Sequence, residues 1–307
     1  MLWFKNKEKA NALGPAIPLH PKTYNPLLHD SKKSRFYKFG SGLFSHRSVL
    51  VAFLIIVSIS VGGTYSLFFS HAASGPISIA FEANTNNLWA ANGYGANTGT
   101  SLGMMPGTSP SIAAVPGGAE IAFQANTGIL WVTGSLGTQN TGLGMMPGTS
   151  PSITYIPGRG YEVAFQANTG NLWVFGQLGT GDQGLGMRAG TSPSLAAVPG
   201  GGYAIAFQAN TGNLWIAGAY GIRDMGLGMY AGTSPSIAVA SNSTYEIAFQ
   251  ANTGHLWSAG SYGNYDYYQG MYPGSSPSIA NLPVPGVAGG GYQIAFQANT
   301  GSLITIG

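Results

Sequence analysis

The chain has 307 residues, no cysteine and only 7% charged residues, with a net charge of +3. The charge is divided: residues 1–47 hold nine basic residues against Glu8 and Asp30, whereas from Gly75 onward Arg159, Arg188 and Arg223 face seven acids. A phosphate-reading surface needs clustered lysines and arginines, so no nucleic-acid partner is expected; the missing thiols exclude disulfides, thiolate metal sites and cysteine nucleophiles.

Residues 1–47 carry Pro15, Pro18, Pro21 and Pro26 among lysines and small residues without sustained periodicity. This composition predicts a disordered basic tail, whose charges either sit on anionic lipid or only set topology. Residues 48–70 follow as a predicted transmembrane signal-anchor helix. The run Val49–Phe69 has 21 residues and no charge, and as a helix it would span about 31 Å, close to the hydrocarbon thickness of a bilayer. All lysines precede it, which places the tail in the cytoplasm and everything after the span outside. The alternative is a signal peptide, since Ser70-His-Ala72 has a small-x-small pattern; the chain would then be secreted by cleavage near Ala72.

Residues 75–307 form a repeat domain. The phrase Phe-Glu-Ala-Asn-Thr-Asn-Asn-Leu-Trp at Phe81 returns as Phe-Gln-Ala-Asn-Thr-Gly-x-Leu at Phe123, Phe165, Phe207, Phe249 and Phe296. The first four spacings are 42 residues and the last is 47. A period of about 40 to 45 residues is that of one four-stranded propeller blade. In the third copy, Ser150–Ile156, Tyr161–Ala167, Asn171–Phe175 and Gly184–Met187 read as strands, separated by Pro157–Gly160 and by Asn168–Gly170. Alternation places Tyr161, Val163, Phe165 and Ala167 on one face and Glu162, Ala164 and Gln166 on the other. The predicted fold is all-β, a β-propeller of about 22 strands. Six blades with one incomplete is the favoured count; the alternative is five, with the Pro76–Ala90 hairpin left over or used in closure. About 230 residues suffice for a sizeable core without cross-links.

Several recurring residues have both a structural and a chemical reading. Trp89, Trp131, Trp173, Trp215 and Trp257 recur once per repeat and read as blade packing, although an indole can stack on a sugar. Met104, Met145, Met187, Met229 and Met271 read as core fillers. Asn140, Asp182, Asp224 and Asp266 are one period apart, in the predicted loop between the Trp strand and the Gly-Met strand. They accompany Tyr220-Gly-Ile-Arg-Asp224 and the tyrosine-rich Tyr262-Gly-Asn-Tyr-Asp-Tyr-Tyr268. Tyr265, Asp266, Tyr267, Tyr268, Tyr220, Asp224 and Asp182 are therefore the candidate ligand-binding residues, because tyrosine offers stacking area with a polar tip and aspartate accepts from hydroxyls. The alternative is turn-forming aspartates and tyrosines that cover a blade edge. No catalytic residue, metal or cofactor is expected. Glu120, Glu162 and Glu246 are repeat-equivalent and replaced by Ala204 and Gln293, and His255 is the one histidine after His71.

The phrase Gln166-Ala-Asn-Thr-Gly-Asn-Leu-Trp173 has the spacing of the Asp-box of sialidase-type propellers, with Asn168 in place of Asp and Gln166 in place of Ser or Thr. The order Ser-Pro-Ser-Ile, apolar strand, Gly turn and Leu-Trp resembles the repeats of fucose-binding propeller lectins and tectonin-like proteins. The resemblance implies a hairpin-pinning role for Asn126, Asn168, Asn210 and Asn252 and sugar binding in clefts between blades. The expected function is a membrane-anchored, extracytoplasmic, multivalent and non-catalytic lectin-like propeller with a glycan or cell-surface polysaccharide as partner. The alternative is an adhesion or scaffold propeller with a protein partner.

Overall fold

The computed structural model describes residues 78–92, 97–282 and 290–307; the tail and the apolar span lie outside them. Among the described residues the regular structure is entirely β, in six antiparallel sheets. Blade 1 holds β1 (Ser78–Glu82), β2 (Asn87–Asn92) and β3 (Asn97–Gly103). Blade 2 holds β4 (Ser111–Val115), β5 (Gly118–Gln124), β6 (Ile129–Gly134) and β7 (Gly137–Gly144). Blade 3 holds β8 (Ser152–Ile156), β9 (Gly160–Gln166), β10 (Asn171–Gly176) and β11 (Gly179–Gly186). Blade 4 holds β12 (Ser194–Val198), β13 (Gly202–Gln208), β14 (Asn213–Gly218) and β15 (Arg223–Gly228). Blade 5 holds β16 (Ser236–Val239), β17 (Tyr245–Gln250), β18 (His255–Gly260) and β19 (Gly263–Gly270). Blade 6 holds β20 (Ser278–Leu282), β21 (Gly291–Gln297) and β22 (Leu303–Ile306).

Strand order follows the chain within every sheet, so each blade is a meander. The count of six blades holds, and the five-blade alternative is set aside. Among the described residues, however, two blades rather than one have three strands. Register shows why: Phe81 pairs with Trp89 as Phe165 pairs with Trp173 and Phe296 with Ile304. Blade 1 thus has the second to fourth strands of the repeat, and blade 6 the first to third.

The core lies between blades, not within them. A sheet two residues thick has no interior, so both faces must be covered by neighbours. The alternation in β9 is as expected, but both of its faces are dry. Tyr161, Val163, Phe165 and Ala167 pack with Ala122, Leu130 and Val132 of blade 2. Ala164, on the opposite face, packs with Leu172, Val174, Ile205 and Phe207 toward blade 4. The methionines are buried in the same seams, as Met145 and Met187 show. Each fully buried phenylalanine contributes about 1.5–3 kcal/mol, which the repeat collects at every seam.

Two polar devices fix the distance between blades. The first is a glutamine clamp. Gln166 at the end of β9 is fully buried; its Nε2 donates to the Arg188 carbonyl at 3.0 Å and its Oε1 accepts from Gly190 N–H at 3.1 Å, both in the loop that enters blade 4. Gln124, Gln208 and Gln250 repeat the arrangement. Blade 1 has Glu82 at this position, and its carboxylate accepts from Gly107 N–H at 3.1 Å. The second device is the Ser-Pro-Ser phrase. Ser150 N–H donates to Ser192 Oγ one period ahead at 2.9 Å, while Ser152 Oγ accepts from Leu195 N–H at 3.0 Å. The same pair of bonds joins blades 2 to 3, 4 to 5 and 5 to 6.

Gln166→Ala deletes both clamp bonds, each worth about 0.5–1.5 kcal/mol, and leaves a void at a fully buried position. The expected loss of unfolding free energy is about 2–3 kcal/mol. Gln297→Ala, at the equivalent but exposed position of blade 6, should cost under about 0.5 kcal/mol. Thermal or denaturant melting of both variants measures the contrast.

Candidate functional site

The recurring acids do not stand in a loop. Asp182, Asp224 and Asp266 lie inside the fourth strand of their blades, paired across with Trp173, Trp215 and Trp257. The turn before that strand is tight, Gln177-Leu178 in blade 3, and the extra residues are absorbed further on. The register shifts between Asn171 and Trp173, a bulge that recurs in every blade with a fourth strand. In blades 2 to 5 an acid or amide braces that bulge, while blade 1 forms it with Gly99 opposite Trp89. Asp182 Oδ1 accepts from Gly184 N–H at 2.8 Å, and Oδ2 accepts from Asn171 Nδ2 at 2.9 Å. Asp224 does the same with Gly226 and Asn213, and Asn140 accepts from Gly142 N–H at 3.0 Å. The Asn171 bond, followed by the Gly184 bond, holds the Asp182 carboxyl below its ordinary range. These acids are Asx-type turn formers in their own sheets, although a carboxylate keeps lone pairs beyond those two bonds.

Blade 5 uses the same frame differently. Asp266 Oδ1 accepts from Tyr268 N–H at 2.7 Å, and His255 replaces the asparagine, with Nδ1 3.2 Å from Asp266 Oδ2. Two residues beyond the partner of the tryptophan or its equivalent, φ is positive in blades 1 to 5: 58° at Ser101, 73° at Gly142, 67° at Gly184, 68° at Gly226 and 54° at Tyr268. Glycine adopts this left-handed conformation freely, whereas a bulky side chain there costs about 1–2 kcal/mol. Tyr268 is also 78% exposed, so core packing does not compensate that strain. Strain at an exposed aromatic marks a candidate contact residue.

The sequence-predicted set divides as follows. Tyr268 and Asp266 gather with His255, whose ring lies 6.2 Å from that of Tyr268. Tyr265, 60% exposed, meets Tyr267 edge-on at 4.8 Å. Tyr267 then turns inward, packs on the core between blades 5 and 6, and sets its hydroxyl 3.3 Å from buried Ser258. Tyr220 is a brace: its hydroxyl donates to the Ser243 carbonyl at 2.7 Å and its ring stacks 4.4 Å from Tyr245, which also bonds Arg223. Asp182 and Asp224 stay two blades and one blade away from the blade 5 tyrosines. His255 was the residue that sequence reasoning missed; its place at the repeat position of Asn171 and Asn213 was the available signal.

Two cavities are lined by other residues. A cleft of about 120 Å³ opens between blades 1 and 2, lined by Leu102, Gly103, Phe123, Asn126 and Trp131. Asn126 closes tightly on Gly103, where a Cβ would come within 2.4 Å of its amide, so the Asp-box-like asparagine here grips the preceding blade. The indole of Trp131 packs 6.5 Å from Phe123, while its N–H is buried without an acceptor, as are those of Trp215 and Trp257; the Trp173 indole faces Asp182. A larger cavity of about 570 Å³ lies over the first hairpin turns of blades 3, 4 and 5, lined by Pro157, Arg159, Pro199, Gly201 and Ser241.

The buried glutamates serve turns. Glu120 accepts from Leu136 N–H and Glu162 from Leu178 N–H, each at 3.0 Å. Burial raises all three repeat-equivalent carboxyls, Glu162 up to about 7, with the Leu178 bond opposing in part. Native Glu162 therefore keeps a proton between about 4.5 and 7 that the unfolded chain has released. Stability falls as pH rises through that window, and the loss is complete above it. Glu162→Gln should flatten this part of the stability profile and gain on the order of 2 kcal/mol at pH 8 relative to pH 4, checked by urea melts across pH.

Comparison with known proteins follows from this geometry. No family model matches the chain, and no curated protein matches it. Among solved structures, the fungal lectin of Aleuria aurantia, described as a six-bladed β-propeller with a novel fucose recognition mode, superposes at TM-score 0.51 and 17% identity. That match covers 76% of this chain and 88% of the lectin. The fold is a six-bladed β-propeller. The same lectin bound to Fucα1-6GlcNAc matches at TM-score 0.50 and 16% identity, over 74% of this chain and 86% of the lectin. BBS1N in complex with ARL6DN matches at 0.50 and 7%, over 76% and 73%. At such identities the propeller itself is what is shared.

Proposed function

We propose that the chain is a lectin-like propeller, non-catalytic, held outside the cytoplasm by the apolar segment 48–70 and binding glycan through the blade 5 patch. The observation that carries this reading is Tyr268, exposed and in a left-handed conformation that glycine takes in blades 2, 3 and 4. With Tyr265, His255 and the free lone pairs of Asp266 it supplies stacking area beside hydrogen-bonding groups, which suits the apolar face and the hydroxyls of a neutral sugar. The fucose-binding lectins of the same fold support a sugar as ligand. One ring contributes about 1 kcal/mol beyond burial, so single-site binding is weak and useful avidity comes from many sites on one surface. The carboxylates of Glu120 and Glu162 are engaged by turn N–H groups, which favours binding over hydrolysis.

The second reading, a protein-binding scaffold, draws support from the shared fold with BBS1N in its complex with ARL6DN. A glycan array probed with the full chain in lipid nanodiscs separates the two. Sugar binding above background supports the lectin; capture of a protein with no sugar binding supports the scaffold.

Tyr268→Gly should remove most glycan capture while leaving stability unchanged or raised by up to about 1 kcal/mol, because the strain is relieved. Tyr267→Ala should instead cost about 2–3 kcal/mol of stability, since its ring is part of the core. Array signal and melting temperature measured on both variants test this division.

A further inference from the structure

The first and last blades expose faces that every other blade buries. Leu88, Leu130, Leu172, Leu214 and Leu256 are all 0% exposed, whereas the equivalent Leu303 on β22 is 77% exposed. Phe123, Phe165, Phe207 and Phe249 are 0% exposed, whereas the equivalent Phe81 on β1 is 41% exposed, with Ile79 beside it at 54%. At each internal seam the leucine of one blade and the phenylalanine of the next share one cluster: Leu88 with Phe123, Leu130 with Phe165, Leu172 with Phe207, Leu214 with Phe249, Leu256 with Phe296. Leu303 and Phe81 are therefore the two halves of one further seam.

The polar devices break off at the same place. Gln297, the blade 6 counterpart of the clamp, reaches its own hairpin at Gly301 O, 3.4 Å away, where Gln250 holds the loop entering the next blade. Successive blades meet chiefly through their first strands, as β4 meets β8 and β16 meets β20. Among the described residues blade 1 has no such strand, and β1 to β3 make no comparable approach to β20 to β22. Both halves of the seam lie in one chain, and Leu303 and Phe81 stay exposed there.

We infer that the blade 6 face docks the blade 1 face of a second copy, head to tail, continuing the inter-blade stack from one molecule to the next. The interface is heterologous, so each copy keeps one free end and the contact can propagate. A chain without native cysteine allows a clean test. Full-length chains with different tags, one Phe81→Cys and one Leu303→Cys, are co-expressed and treated with a short thiol cross-linker. A covalent mixed-tag dimer is expected, with none when either variant is expressed alone. A chain carrying both substitutions should give a ladder of multimers. Internal linking at monomer mass would overturn the inference in favour of ring closure within one chain, and absence of any cross-link would overturn it outright. As a measurement free of cysteine, sedimentation of the full chain in detergent should show mass rising with concentration. Leu303→Asp should abolish that rise and Leu136→Asp, at another exposed leucine, should keep it; equal behaviour of the two would count against the seam.

Discussion

The buried amide of the clamp glutamine constrains everything else in this propeller. A blade made of Ala, Val, Ile and Phe can slide against its neighbour with little change in apolar contact, because hydrophobic burial has no direction. Gln166, fully buried, has both ends of its amide matched to a donor and an acceptor on the next blade, and any slip strands polar groups in a dry seam. Glu82 shows the limit of substitution. A carboxylate accepts from Gly107 N–H but has no hydrogen to donate, so one arm of the clamp is lost in blade 1.

Because register is set at that seam and by the serine bonds, the far edge of each blade is released from structural duty. The fourth strand pairs on one side only, and its bulge needs little beyond a residue with positive φ, since blade 1 forms it with Gly99 at the acid position and Ser101 two residues on. Blade 3 meets this need with Asp182 and Gly184, blade 4 with Asp224 and Gly226, blade 5 with Asp266 and Tyr268. Variation is tolerated there since a change in an edge side chain leaves no buried group unpaired.

The architecture was legible because the repeat is a spacing, and spacing survives in one dimension. Alternation in Tyr161–Ala167 located both faces of β9, and the Asn-Thr-Gly turn located the hairpin. The fourth strand was less legible. Gly179-Thr-Gly-Asp-Gln-Gly184 reads as loop by composition, yet it pairs with β10 because the Asp182 bulge lets a glycine-rich segment keep register. The partition of the tyrosines was not legible either. Tyr265, Tyr267 and Tyr268 look alike in a string of letters, and only the conformation at 268 and the seam behind 267 separate an exposed ring from a core ring. The unequal ends were hidden for a similar reason, since a count of 22 strands does not say which blades have three among the described residues.

Repetition of the frame does not imply repetition of the site. At the position after the acid-led turn, blades 2 to 4 carry glycine and blade 5 carries tyrosine, and histidine stands beside the acid only in blade 5. A ligand that needs aromatic area therefore finds one favourable edge per molecule, and six blades do not give six equivalent sites. On the proposed lectin reading, avidity then arises between molecules, from the number of copies on a surface and their spacing.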